Sequence, residues 1–160
     1  PDVTPEDPLR REILALAEAN GCEVNFLSDD SRFSFGNVEL TVFAPLGDGG
    51  ANEEGLSLLC RAGEFQALIT GDMNSIVERR LVKHKHLPDI NLLLVGHHGS
   101  KSSTSEELLL AVTPEQAVIS SGYNSYGHPA PEALERLGAA GCDIYLTRDM
   151  GNVTFIYKGE

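Results

Sequence analysis

The chain has 160 residues, 41% hydrophobic and 22% charged, the size and make-up of one globular domain able to bury a real core. Its formal net charge of −12 excludes a broad basic face for gripping a phosphate backbone, so any nucleic-acid contact has to be local. Cys22, Cys60 and Cys142 are odd in number and widely spaced, and read as core thiols rather than a disulfide framework or a zinc site.

No apolar run approaches the ~18 residues of a membrane span. The chain begins at Pro1 without a methionine or a signal-peptide pattern, as an excised piece would. In chain order, Pro1–Pro8 is proline- and acid-rich and reads as a loop. Asp7 can cap a helix that opens at Pro8 and closes at Gly21, with Leu9, Ile13, Leu14, Leu16 and Ala17 as its apolar stripe. Cys22–Leu27 predicts a short strand. Phe33 and Phe35 alternate toward a Gly36-Asn37 turn, and Val38–Phe43 forms the second arm of that hairpin. Leu56–Arg61 and Phe65–Thr70 flank Ala62-Gly63-Glu64 as another hairpin. Beyond them Met73–His84 predicts a helix, Ile90–Val95 a strand, and Thr104–Val112 a helix with Thr104 and Glu107 as a capping box. A strand at Ala117–Ser121, a helix at Pro131–Ala140, and strands at Asp143–Thr147 and Val153–Tyr157 complete the series. Hairpins followed by strand–helix alternation predict a mixed sheet with helices outside it.

Three of the apolar runs end in glycine-bearing turns that carry ligand-type side chains. Thr70-Gly71-Asp72 is the first, Gly96-His97-His98-Gly99-Ser100-Lys101-Ser102-Ser103 the second, and Asn124-Ser125-Tyr126-Gly127-His128-Pro129 the third. Asp72 precedes a helix, so it is either an N-cap worth about 1 kcal/mol or a metal-ligand carboxylate aimed at the place His97 faces. Adjacent histidines at a strand end can point to different sides. One of the pair can then reach a metal while the other supports it or touches substrate. His128 is a candidate ligand, acid–base group or phosphate contact, and Lys101 a charge for an anionic substrate; a loop histidine and a solvated lysine are the plain alternatives. His84-Lys85-His86-Leu87-Pro88-Asp89 imitates a dinuclear metal cluster. It sits at a helix end before a proline, where cations favour the helix dipole, and reads as structural.

Leu68-Ile69-Thr70-Gly71-Asp72, Val95 through Ser103, Ser120 through Pro129, and Tyr145-Leu146-Thr147-Arg148-Asp149-Met150-Gly151-Asn152-Val153 together resemble the metallo-β-lactamase-type domain of the ComEC family of bacterial DNA-uptake proteins. The similarity in order and spacing runs from about Val38 to Tyr157. It implies the C-terminal part of a metallo-β-lactamase-like αββα sandwich, a mixed α/β fold. It also implies Asp72 and His97 as metal positions, with His98 the alternative to His97. The superfamily's His-x-His-x-Asp-His cluster is absent, because all five histidines lie at or after residue 84, and a further superfamily histidine falls near Asn52. An asparagine carbonyl suits manganese or magnesium better than zinc.

The implied reaction is phosphodiester hydrolysis of DNA, single-stranded by the resemblance, assisted by Mn²⁺ or Zn²⁺. His128, Lys101 and His98 would act at the reacting phosphate, and Ser100, Lys101, Ser102, Ser103 and Asn52 would contact substrate. The resemblance also places the domain on the extracytoplasmic face of a membrane channel protein. With the ligand cluster missing, the chain is expected to bind metal weakly or not at all and to be inactive alone. Strands apolar on both faces further suggest that it pairs with a copy of itself. Two other readings stay open: a non-catalytic module that docks or threads DNA in the same assembly, and a stand-alone metallo-hydrolase of small esters or lactams.

Overall fold

The computed structural model describes residues 7–47 and 55–158. Helix α1 (Pro8–Ala19) opens as its sequence demands, with the Asp7 carboxylate accepting the amides of Leu9 and Arg10 and Pro8 at the first turn. Strands β1 (Ser31–Phe35), β2 (Val38–Phe43), β3 (Ser57–Ala62) and β4 (Phe65–Ile69) form an antiparallel meander. Then α2 (Ser75–His84), β5 (Leu92–Leu94), α3 (Glu106–Val112), β6 (Gln116–Ile119), α4 (Pro131–Ala139) and β7 (Asp143–Leu146) alternate, and the turn α5 (Thr147–Met150) follows. Strands β4 to β7 run parallel, and all seven strands stand in one sheet in the order of the sequence.

That order decides where the helices go. Right-handed crossovers that always step in one direction put α2, α3 and α4 on the same face of the sheet. The row Leu59, Leu68, Leu93, Ala117 and Ile144, matched strand to strand, packs under them. The helices bury Val77 and Leu81, Leu108, Leu109 and Val112, and Ala133 and Leu137 onto that row. The opposite face carries Leu58, Ile69, Leu94, Val118 and Tyr145 in register, and all but Val118 are only half-buried. One sheet with one helical layer and a second apolar face is the architecture of a metallo-β-lactamase-like half-sandwich.

Several sequence expectations need correction. Cys22–Leu27 is no strand: among the described residues it pairs with no other segment, leaves Val24 and Phe26 exposed, and meets α1 through Arg10 over the Phe26 ring. The apolar stripe of α1 buries no residue. Val153–Tyr157 is no strand either. Its aromatic residues lie against the sheet, Phe155 edge-on to Tyr145 and Tyr157 stacked on Phe65, instead of joining an edge. The cap of α3 is Ser105, extended and with its hydroxyl accepting the Leu108 amide, and not Thr104, whose φ of 55° is left-handed and not the extended conformation an N-cap needs. Thr147 leaves β7 and starts α5. Among the described residues no helix is long and apolar enough to cross a membrane.

Leu93 lies at the centre of the sheet, fully buried beneath the helices. Leu93→Ala is expected to cost about 2–5 kcal/mol by the cavity it opens, read as a lower urea midpoint with an unchanged slope.

Candidate functional site

In an open sheet with parallel strands, ligands gather beyond the carboxyl ends of those strands. Here β4, β5 and β6 deliver the three glycine-bearing turns to one edge. The connection that carries Asn52 leaves from Phe43 and returns at its partner Ser57, at the same edge. Asn52 itself lies outside the described residues.

Glycine lets the turns touch. A Cβ on Gly96 would come within 2.8 Å of Thr70 Oγ1, and one on Gly99 within 2.8 Å of Pro129 Cβ. The His97 amide donates to Gly71 O (3.0 Å), joining the Asp72 turn to the histidine turn. The Ala130 amide donates to Gly99 O (2.8 Å), joining the histidine turn to the His128 loop. His97 (φ 48°) and His98 (φ 54°) are consecutive left-handed residues. A non-glycine residue held that way costs on the order of 1–3 kcal/mol and persists only where its surroundings over-determine it.

The determinants are two residues the sequence reading passed over. Glu78 on α2 is wholly buried, and its carboxylate accepts the amides of Thr104 (2.6 Å) and Ser105 (2.7 Å). Arg136 on α4 donates to the carbonyls of Lys101, Ser103 and Thr104. Donors and acceptors of the segment that follows the histidines are thus fixed from both sides. Glu78 looked like one more polar residue of an amphipathic helix, and only its place one turn above the buried Val77–Leu81 face hinted otherwise. Burial pushes its carboxyl above the usual range, against the pull of the Ser105 and Thr104 bonds and of Arg136.

His97 and His128 come together, their rings edge-to-face with centroids 5.7 Å apart. His98 goes elsewhere: Nδ1 meets the Ser120 carbonyl at 2.7 Å. A carbonyl only accepts, so Nδ1 carries the proton and Nε2 of the neutral ring is left as the acceptor. Asp72 is half-buried and is not the N-cap of α2; Asn74 is, taking the amides of Ile76 and Val77. In the His128 loop the Asn124 side chain accepts the amides of Tyr126 and His128 and donates to the carbonyls of Gly122 and His128. His128 Nδ1 is buried without a hydrogen-bond partner among the described residues.

Ser100 and Ser103 are buried. The Ser103 hydroxyl donates to the Gly96 and Ser100 carbonyls, while that of Ser100 contacts Ser102. Lys101 and Ser102 are the exposed members of the segment. The His84–Asp89 stretch stays structural: Lys85 pairs with Asp30, and Asp89 accepts the Thr113 hydroxyl. Among the described residues no group of three or more histidines, cysteines or acids could hold a metal ion. A catalytic zinc takes about three protein ligands, so these residues alone do not fit a complete zinc or manganese site.

No protein-family model matches the chain. It is 27% identical over 157 residues to ComE operon protein 3 of Bacillus subtilis, covering 96% of this chain and 20% of that protein. It is 35% identical over 130 residues to competence protein ComA of Neisseria gonorrhoeae, covering 79% of this chain and 19% of the relative. Recombination protein 2 of Haemophilus influenzae is 41% identical over 87 residues, 54% of this chain and 11% of that one. The chain therefore spans about a fifth of the length of the first two relatives. Among solved structures it resembles CmlA, a diiron β-hydroxylase from Streptomyces venezuelae, with a TM-score of 0.54, 13% identity, and coverage of 81% of this chain and 34% of that one. Sheet order, helical layer and site edge define a metallo-β-lactamase-like α/β domain. Within that class the likeness to bacterial competence proteins supports a ComEC-type domain.

Two measurements check the loop's construction. Gly99→Ala, at φ +79° and against Pro129, is expected to cost about 1–3 kcal/mol and to part the His97 and His128 rings, seen in their histidine ¹⁵N shifts. The folded state holds the Glu78 proton above the unfolded-chain value of 4.5. Folded protein therefore binds more protons than unfolded protein through the interval just above 4.5, and stability falls as pH rises across it. Glu78→Gln should flatten that slope, and at neutral pH it should cost about 1–3 kcal/mol for the amide left without its acceptor.

Proposed function

We propose that this chain is the part of a competence-protein domain that presents the reacting edge for phosphodiester hydrolysis of DNA, with a single strand as substrate. The observation that carries the reading is the convergence of the Asp72, His97 and His128 turns on one sheet edge, with two imidazoles 5.7 Å apart. In this reading Asp72 and His97 offer metal-binding side chains, and the manganese or zinc of the reaction needs donors beyond these residues. His128 stands next to His97 to exchange a proton with the attacking or leaving oxygen. His98, its orientation set by Ser120, turns Nε2 toward substrate. Lys101 supplies the local positive charge that an acidic protein needs to hold a phosphate, and Ser102 a hydroxyl. In this reading the domain belongs to a membrane assembly and works on its extracytoplasmic face. A docking or threading module without catalysis is the second reading; it is favoured by the absence of a three-donor group among the described residues.

The 160-residue chain with Mn²⁺ is expected to leave labelled single-stranded DNA intact. A competence protein carrying this chain in place of its own aligned segment should cleave it, and Asp72→Ala there should lower the rate by about a hundredfold or more. Cleavage by the isolated chain, lost on Asp72→Ala, would mean its own residues complete the site. A chimera that binds the strand and never cuts it would leave the docking module as the function.

The half-buried face of Leu58, Ile69 and Leu94 extends this reading to assembly. We propose that the isolated chain covers it with a second copy, the net charge of −12 holding the product to small oligomers. Sedimentation velocity at micromolar concentration should show a dimer-sized species; a monomer across the whole range refutes the pairing.

A further inference from the structure

Beside the His97–His128 edge lies an open cavity of about 490 Å³, lined in part by His98, Ser121, Asn124, Tyr126, His128 and Thr147. Its rim belongs to the Ser120–His128 loop, whose two tyrosines take no part in the hydrolytic reading. Tyr123 is 92% exposed and Tyr126 82%. Rings that large, left almost wholly in water beside an open cavity, have nothing to gain in the folded chain alone.

Each ring has a neighbour. Tyr126 stacks on His128, centroids 6.2 Å apart and planes 28° from parallel, and His128 in turn meets His97. Three rings therefore run in sequence from solvent to the histidine turn. Tyr123 lies beneath the Arg148 guanidinium, 6.0 Å from the ring centre. Each tyrosine thus has one supported face and a second turned to solvent. Asn124, hydrogen-bonded to both Tyr126 and His128, fixes the backbone between them. The cavity wall also keeps unspent polar atoms, since Ser121 Oγ and His128 Nδ1 are both buried without a hydrogen-bond partner among the described residues.

We propose that Tyr126, backed by His128, and Tyr123, backed by Arg148, form a stacking platform for unpaired bases, so that a single strand docks by its bases while its backbone passes the His97–His128 edge. The inference rests on the reading of that edge as a DNA site and adds what it selects. Base–aromatic stacking tolerates any sequence but requires a base free of its pair. It also gives a protein of net charge −12 a way to hold DNA that does not depend on phosphate attraction. A duplex, its bases stacked inside, offers the tyrosines nothing.

The test is fluorescence anisotropy at low salt, using the 160-residue chain and oligothymidylate of about 12 nucleotides, the span of a typical single-strand site. An abasic strand with the same number of phosphates and a duplex of the same length are the comparison probes. Oligothymidylate is expected to bind at least about tenfold more tightly than either. Tyr126→Ala and Tyr123→Ala should each weaken oligothymidylate by about five- to a hundredfold while changing the abasic strand less than about twofold. Tyr126→Phe, which keeps the ring and loses the hydroxyl, should bind like the parent. Equal affinity for the abasic strand, or alanine variants that bind oligothymidylate normally, would overturn the platform while leaving a phosphate-binding edge intact. A chain that binds none of the probes would remove both the platform and the DNA reading beneath it.

Discussion

The arrangement of the edge where the three glycine-bearing turns meet depends on one buried carboxylate. Glu78 rises from α2 into the interior, fully buried, and its two oxygens take the amides of Thr104 and Ser105. The turn before those amides holds two histidines in succession in a conformation that L-residues avoid. Strain of that kind survives only if the chain on its far side cannot relax. Glu78 and Arg136 supply that restraint, one gripping the donors of the segment and the other its acceptors. A carboxylate so deep is costly to desolvate; the bonds from Thr104 and Ser105 recover part of that cost and fix where the histidines sit.

Much of this was legible beforehand, for identifiable reasons. Apolar runs that stop at glycine announced β4, β5 and β6, and parallel strands necessarily end on the same side. The glycines of the histidine turn could be recognised as turn residues. Their second role, letting neighbouring backbone and Pro129 approach within contact distance, depends on partners far away in sequence. Asp72 shows the limit of local reasoning. Its position before a helix is equally good for a cap, and only the structure shows Asn74 in that role. Glu78 and Arg136 were invisible for a deeper reason, since a charged residue on a helix is normally solvated. What buries Glu78 and half-covers Arg136 is the packing of α2, α3 and α4 over one face, a property no short window contains.

The two failed strands, Cys22–Leu27 and Val153–Tyr157, share a cause. Both have apolar, extended-chain compositions, and both lie outside the sheet's continuous ladder. A strand exists only if a neighbour takes its amides and carbonyls. The C-terminal segment instead uses its aromatic rings, pressing Phe155 and Tyr157 onto Tyr145 and Phe65 across the helix-free face. The same face explains why β3, β4 and β5 read as apolar on both sides: these strands have the composition of a middle layer.

The sheet's strand order repeats the order of the chain from β1 to β7. Each strand therefore finds its partner in the segment made just before it, and none has to wait for a distant stretch to appear. Low sequence separation between pairing segments favours quick folding and shortens the time an unpaired edge stands open. A polypeptide emerging from the ribosome could lay this sheet down one strand at a time. The histidine turn would take its shape when α3 arrives to put the Thr104 and Ser105 amides against Glu78, and α4 would then close over the loop with Arg136.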